Sequence, residues 1–320
     1  MRSSTILWLI GFLLLALAAA PALALAAPPP APPAASTVPW WVWPLALFLV
    51  TFLLGIVAVL AGVGGGVLFV PIVSGLFPFH LDFVRSAGLL LALAGSLSAG
   101  PSLLMSGMAS LRLALPFALI GSVFSMVGAL VSFQVPVDVM QAMLGITIML
   151  IVLLMWRAGK SESYVGDGGK NDRISTALGL AGVYFDPVAD RDVDWRVQHT
   201  VAGFAAFAII GLVGGMFGLG AGWANVPALN VLLGVPLKGA VATSNIVMSI
   251  VNTSAAWIYI ERGAVIPMVV VPSLIGVILG ARIGARLLHR LHPVVLRRIV
   301  IVVLLLAGSR ALLKGFGLWD

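Results

Sequence analysis

The sequence predicts an all-α polytopic membrane protein built from two homologous halves. Of its 320 residues, 61% are hydrophobic and only 9% are charged, whereas a soluble domain carries about 25% charged residues. Apolar runs of bilayer length recur along the chain, and two glycine-rich segments repeat at a fixed distance. So much apolar surface cannot be hidden inside one water-surrounded core, and lipid is therefore the expected solvent.

Composition also excludes several kinds of site. The chain has no cysteine, which removes disulfides, thiolate metal sites and cysteine nucleophiles. The net charge of +7 comes mainly from cations at the ends of apolar runs, a pattern typical of membrane topology and not of nucleic-acid binding. The HxxH pair of His289 and His292 lies among arginines, which disfavours a metal ion. We expect no cofactor, no metal, no nucleic-acid partner and no enzyme active site.

The N-terminal 39 residues precede the first membrane segment. Residues 1–26 combine Arg2, an apolar run and small alternating residues, which predicts a signal peptide, with an uncleaved first helix as the alternative. Residues 27–39 form a Pro/Ala-rich spacer that is too rich in proline to be helical. The tryptophans that follow, Trp40, Trp41 and Trp43, predict an interfacial anchor.

Five uncharged intervals each have about the 20 residues that an apolar helix needs to cross a bilayer. They are residues 86–111, 113–137, 139–156, 239–260 and 263–281. A last helix is expected over residues 294–313, with cations at both ends.

Two further uncharged intervals, 45–79 and 197–237, are too long for one crossing. Each contains a glycine run followed by a proline: GVGGGVLFVP ends at Pro71 and GLGAGWANVP ends at Pro227. Each interval predicts a helix that enters the membrane, breaks, and continues as a short second piece, with these prolines as structural breaks. Irregular backbone at that depth requires surrounding protein or a watery cavity.

The two glycine runs correspond at a constant offset of 156 residues. The chain therefore divides into halves 40–156 and 199–320, joined by a polar linker over 157–198. Each half should contain one broken or re-entrant helix and three further transmembrane helices. That odd number of crossings favours inverted halves, and the arginine-rich loop after residue 281 is expected in the cytoplasm.

Paired interrupted segments are the best sequence indication of a transporter binding site. A helix that starts inside the membrane offers free N–H groups to an anion, and glycine lets the backbone approach it. Close helix packing is the alternative for the glycines, and bonding within or between helices is the alternative for the polar residues. The candidate substrate-binding residues are Gly62, Gly64, Gly65, Gly66, Ser86, Gly218, Gly220, Gly222, Asn225, Thr243, Ser244 and Asn245, with Asn252 ranked below them.

Charged side chains near the candidate site are few. Arg85, with Asp82 and His80 nearby, could face substrate, but a snorkelling or ion-paired position is favoured. Asp and Glu do not occur in the middle of any predicted span. A coupling proton or cation would therefore have to bind at the rim, where His80 and Glu261 lie.

Long stretches of the second half carry a family resemblance. GLVGGMFGLGAG is followed by VPALNVLLGVPLKGAVATSN, IERGAVIP and GARIGARLLHRL. With the first-half GVGGGVLFVP, these motifs resemble the sulfite exporter TauE/SafE family over residues 45–315. Ala221 replaces a glycine of the second run and Ala87 stands where the second half has Asn245, so an asymmetric site weighted toward the second half is expected.

The resemblance implies export or import of a sulfur oxyanion or an organosulfonate. We therefore expect a multi-pass secondary transporter of a small anion in a bacterial-type cytoplasmic membrane, working by alternating access. An anion channel and a non-transporting membrane protein of the same fold are the alternatives. The sequence does not indicate an oligomeric state.

Overall fold

A computed structural model describes residues 39, 41–61, 65–77, 79–105, 107, 109–158, 172–186, 191–220, 222–288 and 293–316. The expected signal peptide, most of the spacer, Gly62, Gly64 and the HxxH histidines lie outside the described residues. The described part is mostly helical, in agreement with an all-α membrane protein.

The first half contains five helices. They are α1 (Val42–Ala61), α2 (Gly65–Leu76), α3 (Leu81–Met105), α4 (Leu111–Ser132) and α5 (Val137–Ala158). Helix α4 begins at a capped end, because the Ser110 side chain accepts a hydrogen bond from the Leu113 N–H at 3.3 Å. Such a cap satisfies one of the free N–H groups at the start of a helix.

The described part of the linker is folded. It contains two β-strands, which among the described residues are the one departure from an all-α chain. Helix α6 (Arg173–Ala177) is followed by strands β1 (Ala181–Asp186) and β2 (Arg191–Arg196), which pair antiparallel. The carboxylate of Asp172 accepts a hydrogen bond from the Thr200 N–H at 3.0 Å. The linker is thereby attached to the start of the second half.

The part of the chain after the linker contains five further described α-helices. Its helices are α7 (Thr200–Phe217), α8 (Gly222–Pro227), α9 (Leu237–Glu261), α10 (Pro267–Leu288) and α11 (Pro293–Gly315), with a π-helical turn over Ala228–Leu232 after α8. Each of the six ordinary spans expected from the sequence falls on one helix. By length and composition, four described segments could each cross a membrane: Leu81–Ser98, Leu111–Ser132, Thr200–Phe217 and Gly239–Glu261.

The prolines behave differently from the prediction that both break helices. Helix α2 continues through Pro71 to Leu76, so that prediction is wrong for Pro71. Pro227 ends α8, and the chain then widens into the π-helical turn. A proline removes one helical N–H bond, but membrane helices tolerate this loss because neighbouring groups and local π adjustments compensate for it.

Helices from the two halves pack against each other in matching pairs. Helix α1 packs on α10, and α7 packs on α4. A Cβ added to Gly55 of α1 would lie 2.6 Å from the Val277 carbonyl oxygen, and one added to Gly211 of α7 would strike the Gly121 carbonyl oxygen. The two contacts correspond to each other, because Gly211 lies 156 residues after Gly55 and Val277 lies 156 residues after Gly121. Glycine at such crossings lets two backbones come into direct contact.

Candidate functional site

Helix α7 stops inside the protein at a glycine-rich interruption, described over residues 218–220. The helix ends at Phe217, and α8 begins at Gly222. Gly218 has φ +69° and Gly220 has φ +70°, a left-handed backbone that other residues adopt only with strain. These two glycines and Leu219 between them are buried. The sequence therefore fixes an irregular, buried backbone at this point.

Helices of the first half close around this interruption. A Cβ added to Gly66, at the start of α2, would lie 2.8 Å from the Leu219 carbonyl oxygen. One added to Gly88 of α3 would lie 2.6 Å from the Gly218 carbonyl oxygen. Both distances are shorter than a real Cβ atom shows, so positions 66 and 88 both require glycine. The start of α2, the middle of α3 and the second-half interruption meet at one place.

Two asparagine side chains at this place are buried without hydrogen-bond partners among the described residues. Asn225 on α8 is 0% exposed and Asn252 on α9 is 1% exposed, and neither amide atom of either side chain is satisfied. The Asn252 nitrogen lies 3.2 Å from the position that a Cβ on Gly220 would occupy. The indole N–H of Trp223 is also unsatisfied. Each unpaired buried amide costs about 1–3 kcal/mol, so such groups generally have a ligand or water as partner.

Other polar side chains of the second half are already satisfied by protein. The Asn230 amide donates to the Val235 carbonyl oxygen at 2.8 Å. The half-exposed Asn245 donates to the Val241 carbonyl oxygen of its own helix at 2.9 Å. This is the helix-bonding alternative that the sequence left open for Asn245.

The remaining polar candidates mainly connect helices. Ser86 lies 2.6 Å from the Ala264 carbonyl oxygen and donates across to the loop before α10. Thr243 accepts a hydrogen bond from the Ser110 N–H at 3.2 Å, and Ser244 is buried on the same helix. Gly65 begins α2, and Gly222 begins α8. The structure thus brings Gly66 to the interruption that contains Gly218 and Gly220, and it buries Asn225 on the helix that begins at Gly222. It gives Ser86, Thr243 and Asn245 partners elsewhere.

Sequence reasoning ranked Asn252 below the other candidates, whereas its buried and unsatisfied amide places it among the first of them. At the offset of 158 residues that aligns Ala87 with Asn245, its first-half counterpart is Ala94, and the repeat therefore gave it no support. Residues seven apart lie on one face of a helix, so the sequence does not distinguish Asn252 from Asn245. Only the tertiary structure shows which of the two amides is left unsatisfied.

The two halves contribute unequally to this site. At the offset of 156 residues, Val67 and Phe69 stand where the second half has Trp223 and Asn225. Both apolar side chains are fully buried. Polar side chains able to bind a ligand are therefore concentrated in the second half, as the asymmetry of the two glycine segments indicates.

A buried arginine caps the carbonyl end of α7. Arg85 on α3 is 2% exposed, pairs with Asp82 one turn earlier, and donates to the Met216 carbonyl oxygen at 3.2 Å. The Tyr259 hydroxyl donates to the Gly215 carbonyl oxygen at 3.0 Å. The last carbonyl groups of a helix lack partners in the helix itself and carry partial negative charge. Arg85 and Tyr259 therefore stabilise the helix end that precedes the interruption.

Replacing Arg85 with glutamine should destabilise the protein by about 1–3 kcal/mol, because the partly exposed Asp82 carboxylate loses its partner and the Met216 carbonyl oxygen loses a charged donor. The matched control is Arg262→Gln, since Arg262 lies over the same Phe133 ring, 5.9 Å from its centroid, but is exposed. Thermal unfolding in detergent measures both variants. Adding Asp82→Asn to Arg85→Gln should restore part of the loss. Equal melting temperatures for the two single variants would contradict the capping role.

The described residues contain no group of three or more His, Asp or Glu side chains that could hold a metal ion. The polar groups gathered at the interruption are amides, an indole N–H and backbone. Such groups can donate hydrogen bonds to a ligand and accept them from it, but they bring no formal charge of their own.

Comparison with known proteins gives a consistent result. The model of a family described as Sulfite exporter TauE/SafE matches residues 47–311. A probable membrane transporter protein YunE of Bacillus subtilis is 26% identical over 280 residues, covering 84% of this chain and 98% of the relative. A probable membrane transporter protein ORF9 of Sinorhizobium sp is 26% identical over 268 residues, covering 83% and 91%. No solved structure is matched.

Proposed function

Because the chain belongs to the sulfite exporter TauE/SafE family, we propose that it is a secondary transporter of a small anion, most simply a sulfur oxyanion or an organosulfonate. Two relatives named as probable membrane transporters support the transporter class. A multi-pass location in a bacterial-type cytoplasmic membrane is part of the same proposal.

The observation that carries the proposal is the pair of buried asparagine amides beside the interruption. Asn225 and Asn252 lose hydrogen bonds to water and find none within the part of the chain that the structure describes. Such unsatisfied groups persist in a protein where a ligand or an ordered water completes their hydrogen bonds. The interruption meets the start of α2 and the middle of α3, and α8 follows it from Gly222. Buried irregular backbone of this kind is typical of transporter binding sites.

An anion fits the donors that these residues offer. Each asparagine presents two N–H donors and the Trp223 indole presents one. Fixed N–H dipoles in a place that excludes water stabilise negative charge strongly, and no arginine or lysine side chain is then required. A positive ligand would be held instead by carboxylates, and the interval 197–237 contains neither Asp nor Glu.

Alternating access is supported by the matching contacts between the halves. The contact of Gly55 with Val277 corresponds to the contact of Gly211 with Gly121. Each residue of one contact lies 156 positions from its counterpart in the other. Inverted repeats that exchange conformations would open the shared site first to one side and then to the other. The division into halves 40–156 and 199–320, and their inversion, belong to this proposal.

Coupling to a proton or cation is a further part of the proposed mechanism. The Asp82 carboxylate lies 3.3 Å from the His80 imidazole Nδ1, and His80 is exposed. Asp82 also pairs with Arg85, which reaches the end of α7. A proton taken up at this rim would therefore act on the interruption through hydrogen bonds that the structure shows.

Uptake of labelled sulfite into proteoliposomes tests the proposed function. Reconstituted protein should give saturable uptake that unlabelled sulfite or a small sulfonate reduces, and protein-free vesicles give the background. Uptake no faster than that background, for sulfite, sulfonates and thiosulfate alike, would overturn the assignment of substrate class.

A further inference from the structure

The asparagine pair offers acceptors as well as donors. Asn225 and Asn252 each leave a carbonyl oxygen unsatisfied in addition to the amide nitrogen, among the residues that the structure describes. A fully deprotonated oxyanion carries acceptors only and would leave both side-chain oxygens without a partner. An oxyanion that retains a proton can satisfy the nitrogens through its oxygens and one carbonyl oxygen through its own O–H.

Formal charges are absent from the backbone segments that build the site. The intervals 45–79 and 197–237 contain no Asp, Glu, Lys or Arg. Arg85, the buried cation packed on this interruption, is neutralised by Asp82. Other ionisable groups on the adjoining helices lie toward helix ends: Arg112, Asp138, Arg157, Lys238, Tyr259, Glu261, Arg282, Arg286, Arg297, Arg298, Arg310 and Lys314.

The charge of the ligand decides how much binding costs in such a place. The free energy of removing an ion from water grows with the square of its charge, so a dianion costs about four times as much as a monoanion of equal size. Neutral amides repay part of the cost for one charge. Among the described residues, no second fixed cation lies beside the interruption. The amides alone therefore do not offset the desolvation free energy of a doubly charged ligand.

We propose that the interruption binds an oxyanion that carries a single negative charge and retains one proton, such as hydrogensulfite, and rejects the doubly charged form. The amide nitrogens of Asn225 and Asn252 donate to its oxygens, and one of their carbonyl oxygens accepts its O–H. This proposal rests on the proposed function and specifies the form of the ligand that the same site takes.

Isothermal titration calorimetry on the purified full-length protein tests the proposal with three probes. Sulfite gains or loses its proton with pH, methanesulfonate is a monoanion without an O–H, and sulfate is a dianion. Above the pKa of hydrogensulfite, the apparent affinity for total sulfite should fall about tenfold for each pH unit. Affinity for methanesulfonate should stay constant over the same range, which controls for effects of pH on the protein itself.

The order of affinities separates the requirement for an O–H on the ligand from the requirement for a single negative charge. Hydrogensulfite should bind more tightly than methanesulfonate by about tenfold, because the latter leaves both carbonyl oxygens unpaired. Sulfate should bind more weakly than either. Equal affinity for sulfate and methanesulfonate, or sulfite binding that ignores pH, would overturn this inference and leave the proposed function standing. Failure of all three probes to bind would overturn both.

A pair of variants on α9 locates the binding. Asn252→Ala should weaken hydrogensulfite binding about 10- to 100-fold. The matched control is Thr253→Val, because Thr253 is the next residue, is exposed, and bonds to the Ser249 carbonyl oxygen of its own helix at 2.6 Å. Elution as a single species on size-exclusion chromatography shows that each variant is folded. Equal loss in both variants would contradict binding at Asn252.

Discussion

Replacing Gly220 with leucine should abolish sulfite uptake, lowering its initial rate by about 100-fold or more. Gly220 has φ +70°, and a Cβ there would lie 2.8 Å from the Ala92 Cβ and 3.2 Å from the Asn252 amide nitrogen. The substitution therefore imposes backbone strain of about 1–3 kcal/mol and also drives α3 and α9 apart where the ligand is proposed to bind.

The chain provides a matched control for the strain alone. Gly263 has φ +66°, but nothing lies within 4 Å of the position that its Cβ would take. Gly263→Leu should therefore lose stability without losing the site, and it should retain uptake in proportion to the folded protein recovered. If Gly263→Leu and Gly220→Leu lose uptake equally per folded molecule, crowding of the site is not the cause.

Asn252→Ala should reduce sulfite uptake by about 10- to 100-fold at low substrate concentration, because it removes hydrogen bonds to a charged ligand. Asn245→Ala should change uptake by about twofold at most, because the Asn245 amide bonds only within its own helix among the described residues. Initial rates at several sulfite concentrations measure both effects.

Stability provides a second readout for the same variant. Asn252 has no hydrogen-bond partner among the described residues, so Asn252→Ala should not lower the melting temperature. A residue kept for binding often costs stability, whereas one that joins helices contributes to it. A lowered melting temperature with normal uptake would identify Asn252 as a structural residue and remove it from the site.

Sequence reasoning located the long apolar helices because lipid imposes a simple rule. A helix in hydrocarbon must be uncharged over about 20 residues, and the expected interval 113–137 accordingly falls on α4, Leu111–Ser132. The hairpin of β1 and β2 was not expected, because the linker lies outside the apolar intervals and that rule does not apply there. Short antiparallel strands leave a weaker pattern in one sequence than a membrane span does.

The candidate site was predicted less completely than the fold. The left-handed backbone at Gly218 and Gly220 follows directly from residue type, because glycine adopts positive φ freely. Whether an asparagine faces a ligand or its own helix depends on partners that only the tertiary structure provides. Asn245 and Asn252 are identical in type and share a helix, yet one is bonded to Val241 and the other is unsatisfied in the described part.

Counterflow exchange tests the central claim, alternating access to one anion site, most directly. Proteoliposomes are loaded with unlabelled sulfite and diluted into a trace of labelled sulfite. A transporter that returns faster with substrate bound should accumulate label transiently above its equilibrium level, and Asn252→Ala should lose that overshoot. Label that only approaches equilibrium, without an overshoot in the unmodified protein, would contradict alternating access and indicate an anion channel.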